Sequence, residues 1–324
     1  MYSAVAVWRR RYYARASRRS RLSRPVISVG NLSVGGSGKT PVVGYIARLL
    51  VAAGERPAIL TRGYGRRRTR ERLTIVSDGA AIRAGVDSAG DEPLMLARAL
   101  PGVAVVVGGS RYDAGRLAER ELGTTVHVLD DGFQHLQIAR DVDLLLLSEE
   151  DLSDRPLPGG RLREPLAAAA VADAALVSAG YATAVDRVAR AAGIPTAFQV
   201  TRTLGAPRTI ANPSDSVVVP TQSRVFAMAA IARPERFFSD VATAGWDLVG
   251  SMSFRDHHRF SRSDVRRITA AARAAAAAIV LTTEKDAVRL EACDLGGLRA
   301  AAVPLVVGID PADAFRDWLL GRIR

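Results

Sequence analysis

The chain has 324 residues, enough for one large or two medium domains around a sizeable core. Its net charge is +12, and its one cysteine, Cys293, argues against a disulfide framework and for a reducing compartment. No run approaches the roughly 18 apolar residues of a membrane-spanning helix, and four histidines with one cysteine give no zinc-type ligand cluster.

Residues 1–24 carry eight arginines and no acid. Tyr2, Val5, Trp8, Tyr12 and Ala16 fall near one face of a helix. The apolar part precedes the basic part and is too short for a secretory signal. Three readings stay open on these residues: an interfacial helix on anionic lipid, a solvated basic arm, or a nucleic-acid contact.

The stretch from Val26 to Leu50 organises the rest. Val26, Ile27 and Val29 read as a buried strand. Ser33, Val34, Gly35, Gly36, Ser37, Gly38, Lys39 and Thr40 follow, and Val42, Val43, Ile46, Leu49 and Leu50 then recur at helical spacing. Strand, glycine-rich turn, Lys-Thr, helix is the order of a phosphate loop. Glycines let backbone N–H groups face phosphate oxygens, and the helix N-terminus adds partial positive charge. Lys39 would reach the β- and γ-phosphates and Thr40 would hold Mg²⁺. Ser33 stands where the generic loop has glycine.

Arg56 to Thr61 reads as the next strand, followed by five arginines among residues 62 to 70. That loop faces either a phosphorylated substrate or water. In Gly90-Asp91-Glu92-Pro93, Asp91 is either a plain helix cap or a carboxylate at the mouth of the sheet. Val103 to Val107 is a strand, and Arg111 beyond it is a phosphate ligand or a surface charge. Val126 to Leu129 ends in Asp130-Asp131-Gly132-Phe133-Gln134-His135. An apolar strand ending in paired acids beside a phosphate loop points to Mg²⁺ handling by Asp130 and Asp131. His135 is structural or catalytic. Further strands are expected at Val142 to Leu147 and Ala174 to Val177, with Leu162-Arg163-Glu164-Pro165 in a turn between them. The alternation predicts an α/β fold: a P-loop NTPase-like, doubly wound, mostly parallel sheet. It spans residues 25–205 and precedes a linker at 206–222.

Residues 223–324 predict a second, smaller α/β domain. It carries Asp256-His257-His258 and Thr282-Thr283-Glu284-Lys285-Asp286. Adjacent histidines rarely face one ion, so a single histidine facing the cleft is preferred to a metal site.

These segments in this order resemble the tetraacyldisaccharide 4'-kinases of lipid A synthesis in Gram-negative bacteria. The resemblance rests on residues 29–41, Arg62-Gly63-Tyr64-Gly65, Gly90-Asp91-Glu92-Pro93, Asp130 to His135, Leu162 to Pro165, Asp256-His257-His258 and Thr282 to Asp286, and it covers nearly the whole chain. It implies transfer of the ATP γ-phosphate to the 4'-hydroxyl of tetraacyldisaccharide 1-phosphate, giving lipid IVA, with ATP and Mg²⁺ as cofactors. It implies Asp91 as the base, assisted by His257, with Lys39 completing the catalytic set. Arg111, Arg163, Glu164 and His135 would serve substrate or phosphate. It further implies a peripheral position on the cytoplasmic face of the inner membrane, with the basic N-terminal helix on its anionic surface. Neither nucleic acid nor an obligate protein partner is implied. The reading from another class is a P-loop switch ATPase, which would hydrolyse ATP without lipid.

Overall fold

In a computed structural model the apolar runs assemble into a nine-stranded and a five-stranded sheet. The structure describes every residue except 1, 36, 37, 64, 65, 67–71, 179, 180, 211–214 and 292. Helix α1 (Tyr2–Tyr13) comes first. There follow β1 (Val26–Asn31), α2 (Lys39–Ala52), β2 (Pro57–Thr61), β3 (Leu73–Asp78), α3 (Val86–Ala89), α4 (Asp91–Ala99), β4 (Ala104–Gly108), α5 (Arg111–Leu122) and β5 (Val126–Asp130). Then come β6 (Val142–Leu147), α6 (Glu149–Ser153), β7 (Ala174–Ser178), α7 (Ala182–Ala192) and β8 (Ala197–Leu204).

The second unit holds β9 (Arg208–Thr209), β10 (Arg224–Ala229), α8 (Pro234–Thr243), β11 (Asp247–Ser253), α9 (Arg262–Ala274), β12 (Ile279–Thr283), α10 (Glu284–Leu290) and β13 (Ala300–Val303). The chain ends in β14 (Leu305–Asp310) and α11 (Ala312–Ile323).

The large sheet has the order β14-β8-β7-β6-β1-β5-β2-β4-β3. Its inner strands are parallel, and β3 and β14 pair antiparallel at the two edges. The fold is thus the expected doubly wound α/β sheet. Alternation along β1 sends Ile27 and Val29 into a core shared with α2, α4 and α11, while Val26 packs on the other face with Ala114 and Ala118 of α5. The chain builds one half of the sheet from β1 to β5 and then crosses to β6 on the other side of β1. In such sheets the crevice beyond the strand ends at that reversal is where ligands bind.

The small sheet runs β11-β10-β12-β13-β9, parallel except for β9. Two segments depart from the expected division. Residues 206–222 are not a plain linker, because β9 pairs with β13. Residues 305–324 leave the second unit: β14 pairs with β8, and Phe315 and Leu319 of α11 are fully buried against Ile309 and the large-sheet core. An antiparallel edge strand followed by a short helix carries none of the strand–helix–strand rhythm that marks the rest of the sheet.

Candidate active site

The phosphate loop leaves β1 and re-enters the fold at α2. Gly38 caps α2 with φ +79°, a left-handed conformation that favours glycine. Gly30, near the end of β1, is required by space: an added Cβ would lie 2.4 Å from the Phe133 Cβ. The loop's first limb is held by the Arg161–Arg163 segment. Val34 N–H donates to Arg161 O at 2.8 Å and Arg163 N–H to Leu32 O at 2.6 Å. Ser33, Val34, Gly35 and Gly38 line a cavity of about 520 Å³ that runs over the ends of β6, β7 and β8. Gly36 and Ser37 lie outside the described residues. Lys39 Nζ donates to Asn31 Oδ1 at 2.9 Å and sits 3.5 Å from Asp131. Thr40 follows it in the first turn of α2.

The two adjacent acids have different environments. Asp131, with φ +56°, turns out of β5 and is gripped by Arg163, whose Nη1 and Nη2 donate to its two oxygens at 2.9 and 2.8 Å. Burial works to raise the Asp131 pKa, but Arg163 and Lys39 outweigh it and hold the carboxyl below its ordinary value. Asp130 is 4 % exposed, and its Oδ2 accepts a long 3.4 Å bond from Thr61 Oγ1. Its Oδ1 has no partner among the described residues. Burial first, then the negative fields of Glu92 and Asp131, push it up to about 7. A carboxylate desolvated beside other acids fits a bound cation. Asp130 is thus the acid of the pair whose surroundings would suit Mg²⁺, and Asp131 is largely committed to Arg163.

Arg111 opens α5 and is buried, with Nη1 donating to Gly108 O at 2.9 Å. Desolvation lowers its pKa to about 10 against the pull of Asp130 and Asp131, and it remains a cation. His135 is driven down to about 4 by burial and by Arg111, Arg9, Arg140 and Arg62. It is neutral at physiological pH in a strongly positive surround. Glu164 is buried, with its carboxylate paired with Arg10 of α1.

Across the gap between the two sheets, Asp91 is the first residue of α4, capped by Gly90. It is buried. His257 Nδ1 lies 3.0 Å from Asp91 Oδ2. Lys285 Nζ lies 3.4 Å from His257 Nε2, and 3.1 and 3.2 Å from Asp256 and Glu92. Nε2 of His257 thus faces an ammonium, and Nδ1 faces the Asp91 carboxylate. His258 faces the other way, 3.0 Å from Asp264 at the start of α9 and stacked on Phe254. Asp286 ties this region together: Oδ2 accepts from Ala230 N–H at 2.9 Å, and Ala230 O accepts from His257 N–H at 3.2 Å. Burial raises the Asp286 pKa despite those bonds.

The family model described as tetraacyldisaccharide-1-P 4'-kinase matches residues 1–324. The chain belongs to this family. It is 42% identical over 281 residues to the tetraacyldisaccharide 4'-kinase of Geobacter metallireducens, covering 86% of this chain and 82% of that one. It is 37% identical over 312 residues to the same enzyme of Koribacter versatilis, covering 94% and 90%. Among solved structures it is similar to LpxK from Aquifex aeolicus in complex with ATP, with TM-score 0.78 and 31% identity over 100% of this chain and 96% of that one.

Within this kinase-family site, four contributors were not singled out by sequence reasoning. Arg289 of α10 pairs with Asp91 through Nη2 and donates from Nη1 to His258 O at 2.9 Å. Its Nη2 is also 2.8 Å from His257 Nδ1, since both converge on one carboxylate oxygen. Lys285 stood in a quoted motif without a role. Asn31 bridges Lys39 and Arg163. Arg10 is one of eight arginines in a basic tail, and nothing in its spacing distinguishes it.

Proposed function

We propose that the protein uses ATP to phosphorylate the 4'-hydroxyl of tetraacyldisaccharide 1-phosphate, giving lipid IVA in lipid A biosynthesis. The observation that carries the reading, beside membership of the family, is the Asp91–His257 pair at 3.0 Å, which joins the unit that bears the phosphate loop to the second unit. Phosphoryl transfer needs positioning and charge neutralisation more than covalent chemistry. The loop from Ser33 to Thr40 and Lys39 would hold the triphosphate. Arg111 and Arg163 add fixed positive charge beside it. Thr40 and Asp130, with Asp131 alongside, would hold Mg²⁺, which when bound would supply positive charge against the phosphates.

Asp91 would accept the hydroxyl proton as the oxygen bonds to the γ-phosphorus and the bond to the β–γ bridging oxygen breaks. His257 would orient the carboxylate through Nδ1, much as a second group orients a general base elsewhere.

The N-terminal helix supports a peripheral position on the cytoplasmic face of the inner membrane. Val5, Trp8 and Tyr12 of α1 are exposed on one side, and the basic tail suits an anionic surface. No helix among the described residues is long and apolar enough to cross a membrane. Deleting residues 1–20 should lower liposome association, with the larger loss at low salt. Unchanged, salt-independent binding would overturn the electrostatic part.

The deciding test of the reaction is MgATP with the monophosphorylated tetraacyl disaccharide in detergent, followed by mass spectrometry of the lipid. Gain of one phosphate, lost in Lys39→Ala, supports the kinase. Steady ADP release with unmodified lipid would favour a switch ATPase instead.

A further inference from the structure

Helix α1 has two sides. Val5, Trp8 and Tyr12 lie within about 60° of one another around the helix, and Arg10 lies some 200° from Trp8. The first side is open to solvent. Arg10 points the other way, into the protein. Its Nε and Nη2 donate to the two oxygens of Glu164, the second bond at 3.1 Å. Its guanidinium carbon lies 4.2 Å from the centre of the Phe133 ring. The two side chains of the ion pair are 14% and 5% exposed.

Both contacts lead to Asp131. Glu164 adjoins Arg163, which grips the Asp131 carboxylate and whose backbone N–H is bonded to Leu32 at the start of the phosphate loop. Phe133 is two residues beyond Asp131, fully buried against Gly30. Behind α1 the chain is pinned to the same region: Ser20 N–H donates to Gln137 O at 2.8 Å and Ala139 N–H to Ser20 O at 2.9 Å. A forked, stacked guanidinium can satisfy both Glu164 oxygens and the ring face at once, which an ammonium cannot. Without it, Glu164 is a buried carboxylate lacking its cation, and the segment carrying it must shift or open.

We propose that Arg10 is a positioning residue that carries the seating of α1 to the Arg163–Asp131 grip beside the phosphate loop. Whatever holds α1 by its outer apolar side thereby steadies the two segments that flank Asp131. The proposal rests on the kinase reading only for its effect on turnover; its structural half is independent of the substrate.

The experiment uses the full chain as Arg10→Gln, Arg10→Lys, Glu164→Gln and the Arg10→Gln/Glu164→Gln double variant. Amide exchange is followed by mass spectrometry, and kcat, lipid KM and ATP affinity are measured in detergent. Arg10→Gln should speed exchange at the amides of Val34 and Arg163 by about tenfold, the scale of one lost charge-assisted hydrogen bond, while β7 keeps its protection. The double variant should exchange no faster there than Glu164→Gln alone, because the two residues act as a unit. In turnover, Arg10→Gln should lower kcat about tenfold and weaken ATP binding, and Arg10→Lys should restore part of both. Unchanged exchange at Val34 and Arg163, additive effects in the double variant, or a higher lipid KM at unaltered kcat would each overturn the proposal. Failure of the unmutated protein to phosphorylate lipid would instead count against the kinase reading, and the exchange result would still decide the role of Arg10.

Discussion

His257 reaches Asp91 from the other sheet, Nδ1 to Oδ2 at 3.0 Å, so the proposed base and its orienting group belong to different units of the fold. The pair exists only while the units keep their relative position. Asp91→Asn should lower kcat by about 10²–10⁴, the range for losing a positioned general base, with ATP binding retained. His257→Asn should cost less, because the carboxylate remains. Binding of a fluorescent ATP analogue separates these outcomes from that of Lys39→Ala, which should lose nucleotide affinity as well. Near-normal kcat in Asp91→Asn would remove the base assignment.

Arg289 makes a second claim on the same carboxylate, and both side chains of that pair are buried. Arg289 also donates to His258 O, so it ties the carboxylate to the loop that carries His257. Replacing Arg289 with Gln should lower kcat about tenfold, the scale of one lost charge-assisted hydrogen bond, with ATP binding retained. Measuring kcat beside binding of a fluorescent ATP analogue checks this. Unchanged kcat would mean that Arg289 does not act on the base.

Much of this arrangement was legible in local sequence. Glycine-rich turn, Lys-Thr and amphipathic helix locate the phosphate loop because each is a short-range requirement. The acids after β5 are legible for the same reason. The relation of Asp91 to His257 came only through resemblance, since 166 residues separate them and no local period records a contact between sheets. Arg289 is hidden for a plainer reason: in α10 it reads as the basic residue of a last helical turn. The pairing of Glu164 with Arg10 joins residues 154 apart, and no local pattern records it. The return of β14 to the large sheet escaped because an edge strand beside β13 looks like the next strand of the same unit.

Gly30 tests how tightly the phosphate loop is braced on the acidic turn. An added methyl at this position would meet the Phe133 Cβ at 2.4 Å and its backbone N at 2.7 Å. Backbone cannot move aside as a flexible side chain end can. Gly30→Ala should destabilise the fold by about 1–3 kcal/mol, as overpacking does, and should displace the turn bearing Asp131. A urea midpoint and the Mg²⁺ATP affinity would both fall. A variant with unaltered midpoint and affinity would show that the close approach is not needed.

Asp130 offers a test that separates function from stability. Its folded pKa of about 7 stands above the roughly 3.9 of an unfolded aspartate, chiefly because burial penalises the charge. The folded form therefore holds the proton more tightly. Its stabilising contribution is fully present below about pH 4 and is lost as pH rises through about 7. Asparagine has similar shape and no such penalty. Without nucleotide or metal, Asp130→Asn should melt close to the unmutated protein at pH 5 and above it at pH 8, with the gap levelling beyond about pH 7. Each kcal/mol of relief corresponds to roughly 2–4 °C. The same variant should lose most kinase turnover, since the uncharged amide is a poor partner for Mg²⁺. Melting curves at several pH values, read beside the activity, decide the matter. A gap that does not widen with pH would show that Asp130 is already compensated within the fold, and would remove the argument that its burial is maintained for a cation.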